Sequence, residues 1–149
     1  MAFNPQAIME RVKSFLAASG RCSAGASVGE PKSPPATGAG LYGAVMLGSG
    51  GLTETSLATA SGRISLIVRL YRDAINEPLD QTEFLIGQTV FELIEDFMGD
   101  FDFGDASVRN VLPLEVQWAP GYQDIGNIKY RLVDITVPLL INDVATTTA

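Results

Sequence analysis

Apolar positions along this chain fall into two helical stripes and several alternating runs, and their order predicts the architecture. Asn4 followed by Pro5 reads as an N-cap and first helical position, since proline has no N–H to leave unbonded there and its φ is already helical. Ile8, Val12, Phe15 and Leu16 then recur at a period near 3.6, with Glu10, Arg11, Lys13 and Ser14 on the other face. Ser19-Gly20 supplies the stop, because glycine takes the left-handed closing position without strain. The pattern predicts a helix over 5–18.

Residues 19–40 hold five glycines and three prolines. Pro31, Pro34 and Pro35 deny a continuous helix or a central strand, so this segment reads as a long loop with a short extended piece at 23–28. A loop of that length inside a small domain is a candidate contact arm, weighed against a surface loop with no role. Residues 41–47 read as a strand, Gly48-Ser49-Gly50-Gly51 as a turn, and 55–71 as a second, longer strand. In its latter half Ile64, Leu66, Val68 and Leu70 point one way and Arg63, Ser65 and Arg69 the other. Ile67 and Tyr71 interrupt that polar face, which is therefore expected to be partly covered.

Asp80-Gln81-Thr82-Glu83 is a helix-start signature with Asp80 as cap, and the helix it opens runs to Met98, stopped by Gly99. Ile86, Val90, Leu93, Ile94 and Phe97 form its core stripe, which Phe84 and Phe91 widen. Residues 108–117 and 127–137 are the remaining strands, separated by a loop holding Trp118, Pro120 and Gly121. In the second, Val133, Ile135 and Val137 face one way and Tyr130, Leu132, Asp134 and Thr136 the other. Pro138 puts the end of that strand at a sheet edge or past the ladder, and 142–149 has the composition of a flexible tail. The succession predicts one α+β domain over 1–149, a mostly antiparallel sheet with two main helices packed on one face.

Composition narrows the chemistry more than the fold. The chain of 149 residues has no histidine, which removes the commonest general base, the Ser-His and Cys-His pairs and the usual zinc and iron ligand sets. Cys22 is alone, so an internal disulfide is excluded and a buried small residue is its plainest reading. No apolar run reaches the roughly 18 residues that cross a bilayer, and Met1-Ala2-Phe3-Asn4-Pro5 lacks the basic start of a signal peptide, so neither membrane insertion nor export is expected.

Charge is distributed unevenly. Asp73, Glu77, Asp80, Glu83, Glu92, Glu95, Asp96, Asp100, Asp102 and Asp105 follow one another with no lysine or arginine between them, whereas elsewhere ten bases outnumber seven acids. Glu92, Glu95 and Asp96 share one helical face at spacings where like charges repel. Solvent screens them, or a basic group comes from elsewhere. Such a polar charge layout suits self-association or repulsion of a polyanion better than catalysis.

Four candidate chemistries lack what they require. A calcium loop opening at Asp100 would need its bidentate carboxylate at Val111 and has glycine one position early. The glycines at 48–51 lack the Gly-Lys-Ser/Thr of a phosphate cradle. Paired carboxylates of glycosidase type have no aromatic cleft in view. Nucleic-acid readout lacks a basic cluster, at a pI near 4.4. No residue is assigned to catalysis, to a cofactor or to a metal.

Several strings, taken together, are similar to a known family. They are Glu30-Pro31-Lys32-Ser33-Pro34-Pro35, Gly43-Ala44-Val45-Met46-Leu47, and Ser61-Gly62-Arg63-Ile64 leading to Val68-Arg69-Leu70-Tyr71. Gly121-Tyr122-Gln123-Asp124-Ile125 and Tyr130-Arg131-Leu132-Val133-Asp134-Ile135-Thr136-Val137-Pro138-Leu139 complete the set. In segment order and length over 5–143 the chain resembles the tail terminator proteins of long-tailed (siphovirus-type) bacteriophages, in the form found among phages of actinobacteria. The resemblance implies a structural virion protein, not an enzyme. It would form a hexameric ring on the head-proximal end of the tail tube, ending tube polymerisation. Its partners would be the tail tube protein and the connector or stopper protein of the neck, with DNA passing through the channel unread. Assembly would take place in the host bacterial cytoplasm. No residue carries over by position.

Within that reading the acids Glu92, Glu95, Asp96, Asp100 and Asp102 would face Arg63, Arg69, Arg72 or Arg131 of a neighbouring subunit, or line the channel as a negative wall. The loop 19–40 and the tip 48–60 would grip rings above and below. Three rival readings use the same features: another neck, connector or minor tail protein; a carboxylate-dependent enzyme or ligand-binding domain; and an acidic adaptor docking through the helix over 80–98.

Overall fold

A computed structural model describes residues 4–37, 40–55, 59–74, 79–99, 108–111 and 116–146. Asn4 caps α1 (Pro5–Ser19) as its sequence predicts, its side chain accepting from the N–H groups of Gln6 and Ala7 at 3.1 and 3.4 Å, and Gly20 closes the helix at φ 75°. β1 (Gly25–Val28) follows and pairs in parallel with β2 (Tyr42–Thr55), which forms a long antiparallel pair with β3 (Thr59–Asp73). Next come α2 (Leu79–Gly99), β4 (Val108–Val111), β5 (Gln117–Ile125) and β6 (Ile128–Thr146). The sheet has six strands in the order β1-β2-β3-β6-β4, with β5 also on β6, and every pair but the first is antiparallel. This is the α+β fold expected.

Both helices lie on one face. Ile8, Val12 and Leu16 of α1 and Ile86, Val90, Leu93 and Phe97 of α2 are buried with Val45, Leu66, Val68, Leu70, Val133, Ile135, Val137, Leu139 and Ile141 in one core. Phe15 and Phe97 bring the helices into contact, ring centres 5.6 Å apart. The opposite residues of the same strands, Ala44, Tyr71, Tyr130 and Leu132, make a smaller buried cluster on the second face. Alternation along β3 and β6 therefore divides the two faces as the sequence predicts.

Several boundaries differ from the sequence reading, each for a physical reason. The glycines at 48–51 stand inside β2, where the register shifts between Leu47 and Gly50. A Cβ on Gly50 would come within 2.6 Å of the Arg63 carbonyl oxygen, and one on Gly48 within 2.9 Å of that of Ser65, so these glycines serve a bulge and not a turn. The segment 117–125, read as part strand and part loop, is β5, joined to β6 by the two-residue turn Gly126-Asn127, with Gly126 at φ 61°. Pro138 lies within β6, in the step between its last β5 partner pair (Thr136) and its first β4 pair (Leu139), so the strand passes through it. Residues 142–146, read as tail, continue β6 and pair with the start of β3. α2 begins at Leu79, which places Asp80 inside the helix instead of at its cap.

Candidate functional site

α2 carries two apolar stripes, and only one of them is in the core. Ile86, Val90, Leu93 and Phe97 face the sheet. Phe84, Phe91 and Met98 are seven residues apart, nearly in line because two turns take 7.2 residues, and they look away from it. They are 70%, 61% and 57% exposed, which corrects the expectation that Phe84 and Phe91 widen the core. Beside them on β5, Trp118 (48%) meets Phe91 edge-on with ring centres 5.3 Å apart, and Tyr122 is 60% exposed.

The strip follows from the way α2 lies along β6. Glu83 binds Arg131, and Phe91 meets Trp118, which is paired with Ile135. Eight helical residues advance about 12 Å and four strand residues about 13 Å, so the helix and the strand keep step. At roughly 200 Å² per large side chain, the five residues leave about 600 Å² of mostly apolar surface open. That is the upper end for the largest patch on a monomer, a size that is often functional.

Gly87 sits in this strip between Phe84 and Phe91. A Cβ added there would meet nothing within 4 Å. Glycine inside a helix costs about 0.5–1 kcal/mol relative to alanine, yet no contact among the described residues of the subunit requires it.

Among the charged candidates, Glu92, Asp96, Arg69 and Arg131 have ion-pair partners within the chain. Arg21, just past α1, binds Glu92 at 2.9 Å and Asp96 at 3.3 Å, which relieves the acidic face of α2 without a neighbour and holds the guanidinium in its charged form. An open cleft of about 420 Å³, lined by Phe15, Ala18, Ser19, Arg21, Glu95 and Asp96, lies alongside. Glu95 itself is exposed. Arg131 binds both oxygens of Glu83, at 2.7 and 3.3 Å, with its guanidinium 4.6 Å from the Tyr122 ring centre. Hydrogen bonding to Glu83 raises its pKa further.

On the second face Arg69 is held by Asp134 through two bonds, 2.6 and 3.0 Å, and reaches Glu30 at 3.2 Å and Gln123 at 3.1 Å. Asp134 is the main cause of its raised pKa. Tyr71 donates to the same Gln123 oxygen at 3.1 Å, and burial raises its pKa. Arg72 is buried opposite Arg131 in the β3–β6 register, and Arg63 is half-buried opposite Leu140. By alternation Arg63 and Arg69 lie on one face of the sheet and Arg72 and Arg131 on the other. Asp100 and Asp102, with the rest of the acidic run 100–105, lie outside the described residues.

The loop expected as a contact arm is largely bound to its own subunit over 29–37. Gly29 donates to the Val45 carbonyl at 2.8 Å, Glu30 takes Arg69, the Tyr130 hydroxyl donates to the Pro35 carbonyl at 2.7 Å, and Asp73 N–H donates to Thr37 Oγ1 at 3.1 Å. These bonds strap the loop over Tyr71 and Tyr130, which accounts for the partial covering expected of that face.

The exposed strip consists of Phe84, Gly87, Phe91, Met98, Trp118 and Tyr122, none of which the sequence marks as a site. The signal is the seven-residue spacing of 84, 91 and 98, set about 120–160° around the helix from Ile86. Compared with protein-family models and with curated proteins, the chain matches none.

Proposed function

We propose that this chain is a structural subunit of a phage tail, a terminator whose copies form a hexameric ring on the head-proximal end of the tail tube. The observation that carries this reading is the aromatic strip of α2 and β5, an exposed surface of docking size. A protein that must join copies of itself and two neighbouring rings needs such a surface. The strings that resemble those of tail terminators, most of which run through β2, β3, β5 and β6, support the same reading. In this reading the strip joins the subunit to its assembly and the neck proteins dock on the ring, while DNA passes through without sequence-specific contact.

The test is to add purified chain to polymerising tube protein of the same phage and to measure tube lengths by negative-stain microscopy. A terminator stops growth and leaves a six-fold annulus at one end of each tube. Tubes of unchanged length with two bare ends would remove the proposal.

A further inference from the structure

Phe91 projects from α2 and Gly87, one turn earlier on the same strip, leaves open space, so the strip carries a bulge and a notch side by side. We infer that the free chain pairs with a second copy of itself through this strip, α2 against α2, antiparallel about a two-fold axis at position 89. That axis is the only one that sets Phe91 over the partner's Gly87 and Gly87 under the partner's Phe91 in a single reciprocal contact. A surface that fits itself in this way is what an isologous interface requires. The same axis brings Phe84 opposite the partner's Ile94, and Gln88, a neutral residue, to the crossing.

The register sets each Glu95 level with the partner's Glu83, so the pairing relies on the acids near the crossing being neutralised within their own subunit. Glu83 is already bound to Arg131, and Glu92 and Asp96 to Arg21. The exposed Glu95 carboxylates of the two copies stand six residues on either side of the axis. Twelve residues of helix separate them by about 18 Å, beyond the screening length at physiological salt. With Trp118 and Tyr122 of β5 covered together with the α2 residues, the strip supplies up to about 600 Å² from each copy, or about 1,200 Å² in total, against the roughly 1,000 Å² that a specific interface needs. The inference rests on the strip being an assembly surface and not on the phage reading. For a ring-forming subunit it means that the sticky face stays covered until a tube end offers a better partner.

Sedimentation equilibrium of the full chain up to about 100 µM is expected to show monomer and dimer. Gly87→Leu fills the notch, is expected to leave the subunit's circular dichroism unchanged because a Cβ there meets nothing within 4 Å, and weakens dimerisation at least about tenfold. Phe91→Ala removes the bulge and has the same effect, so a poorly folding Gly87→Leu would not leave the matter undecided. Gln88→Cys, near the axis, forms an intermolecular disulfide under mild oxidation, whereas Glu10→Cys on α1 does not; the native Cys22 is buried. A wild-type chain monomeric at that concentration, or association indifferent to Gly87→Leu and Phe91→Ala, overturns the inference. Hexamers in which Gln88→Cys stays reduced overturn it too, yet leave the ring reading standing.

Discussion

At the scale of single residues, Cys22 shows how burial alone sets a pH response. Its thiol is 5% exposed and so close to Gly43 that a Cβ there would come within 2.8 Å of the sulfur. Burial pushes its pKa from the ordinary 9.0 up to about 11. Between these values the unfolded thiol ionises and the folded one does not, so the unfolded chain holds fewer protons and stability falls as pH rises. The full loss is about 2–3 kcal/mol for a shift of that size. Urea melts at pH 8 and pH 11 should therefore show a smaller fall for Cys22→Ala than for the natural chain. Tyr71 and Tyr130, whose pKa values burial also raises, contribute alike to both proteins. An equal fall in the two would mean that the thiol is not the titrating group. The lone cysteine was legible as a buried residue; its pH role needed the neighbours packed around it.

At the scale of elements, the sequence was read well where one rule governed a segment and poorly where two competed. α1 has a cap, a stripe and a stop in agreement, and its predicted end is one residue short. β2 was cut at Leu47 because four small residues resemble a turn, whereas close backbone approach to β3 also demands glycine. β5 was hidden by Pro120 and Gly121, which are tolerated because β6 lies on one side and no strand among the described residues lies on the other. Its signal was present in Gly126-Asn127, a two-residue hairpin turn between Ile125 and Ile128. The strap over 29–37 was not legible, since its hold depends on side chains from β3 and β6 that are distant in sequence. It can be tested as an element. Tyr130→Phe removes the bond to the Pro35 carbonyl, and the chain should lose about 1 kcal/mol in denaturant melts. Trypsin should also cut faster at Lys32, which the strap carries exposed. Unchanged cleavage at Lys32 would show that the remaining anchors suffice.

At the scale of the whole molecule, the core stripe and the exposed aromatic strip occupy different sides of the same helix, and that separation makes the proposed assembly role testable without unfolding the subunit. The core stripe of α2 is buried and shared with the sheet, while Phe84 and Phe91 are mostly in solvent. Replacing both by serine removes little buried apolar surface; the main loss inside the subunit is the edge contact of Phe91 with Trp118, worth about 0.5–1.5 kcal/mol. For a chain of this length that lowers the melting temperature by roughly 2–6 °C, leaving a folded protein at room temperature. The Phe84→Ser, Phe91→Ser double variant should keep its circular dichroism and yet fail to arrest growing tail tubes, because the polar strip no longer gains free energy from leaving water. An equally folded single variant at Glu10, on the far side of α1, should arrest them as the natural chain does. If the double variant caps tubes normally, the strip is not the joining surface, and another face of the sheet must hold the ring to the tube.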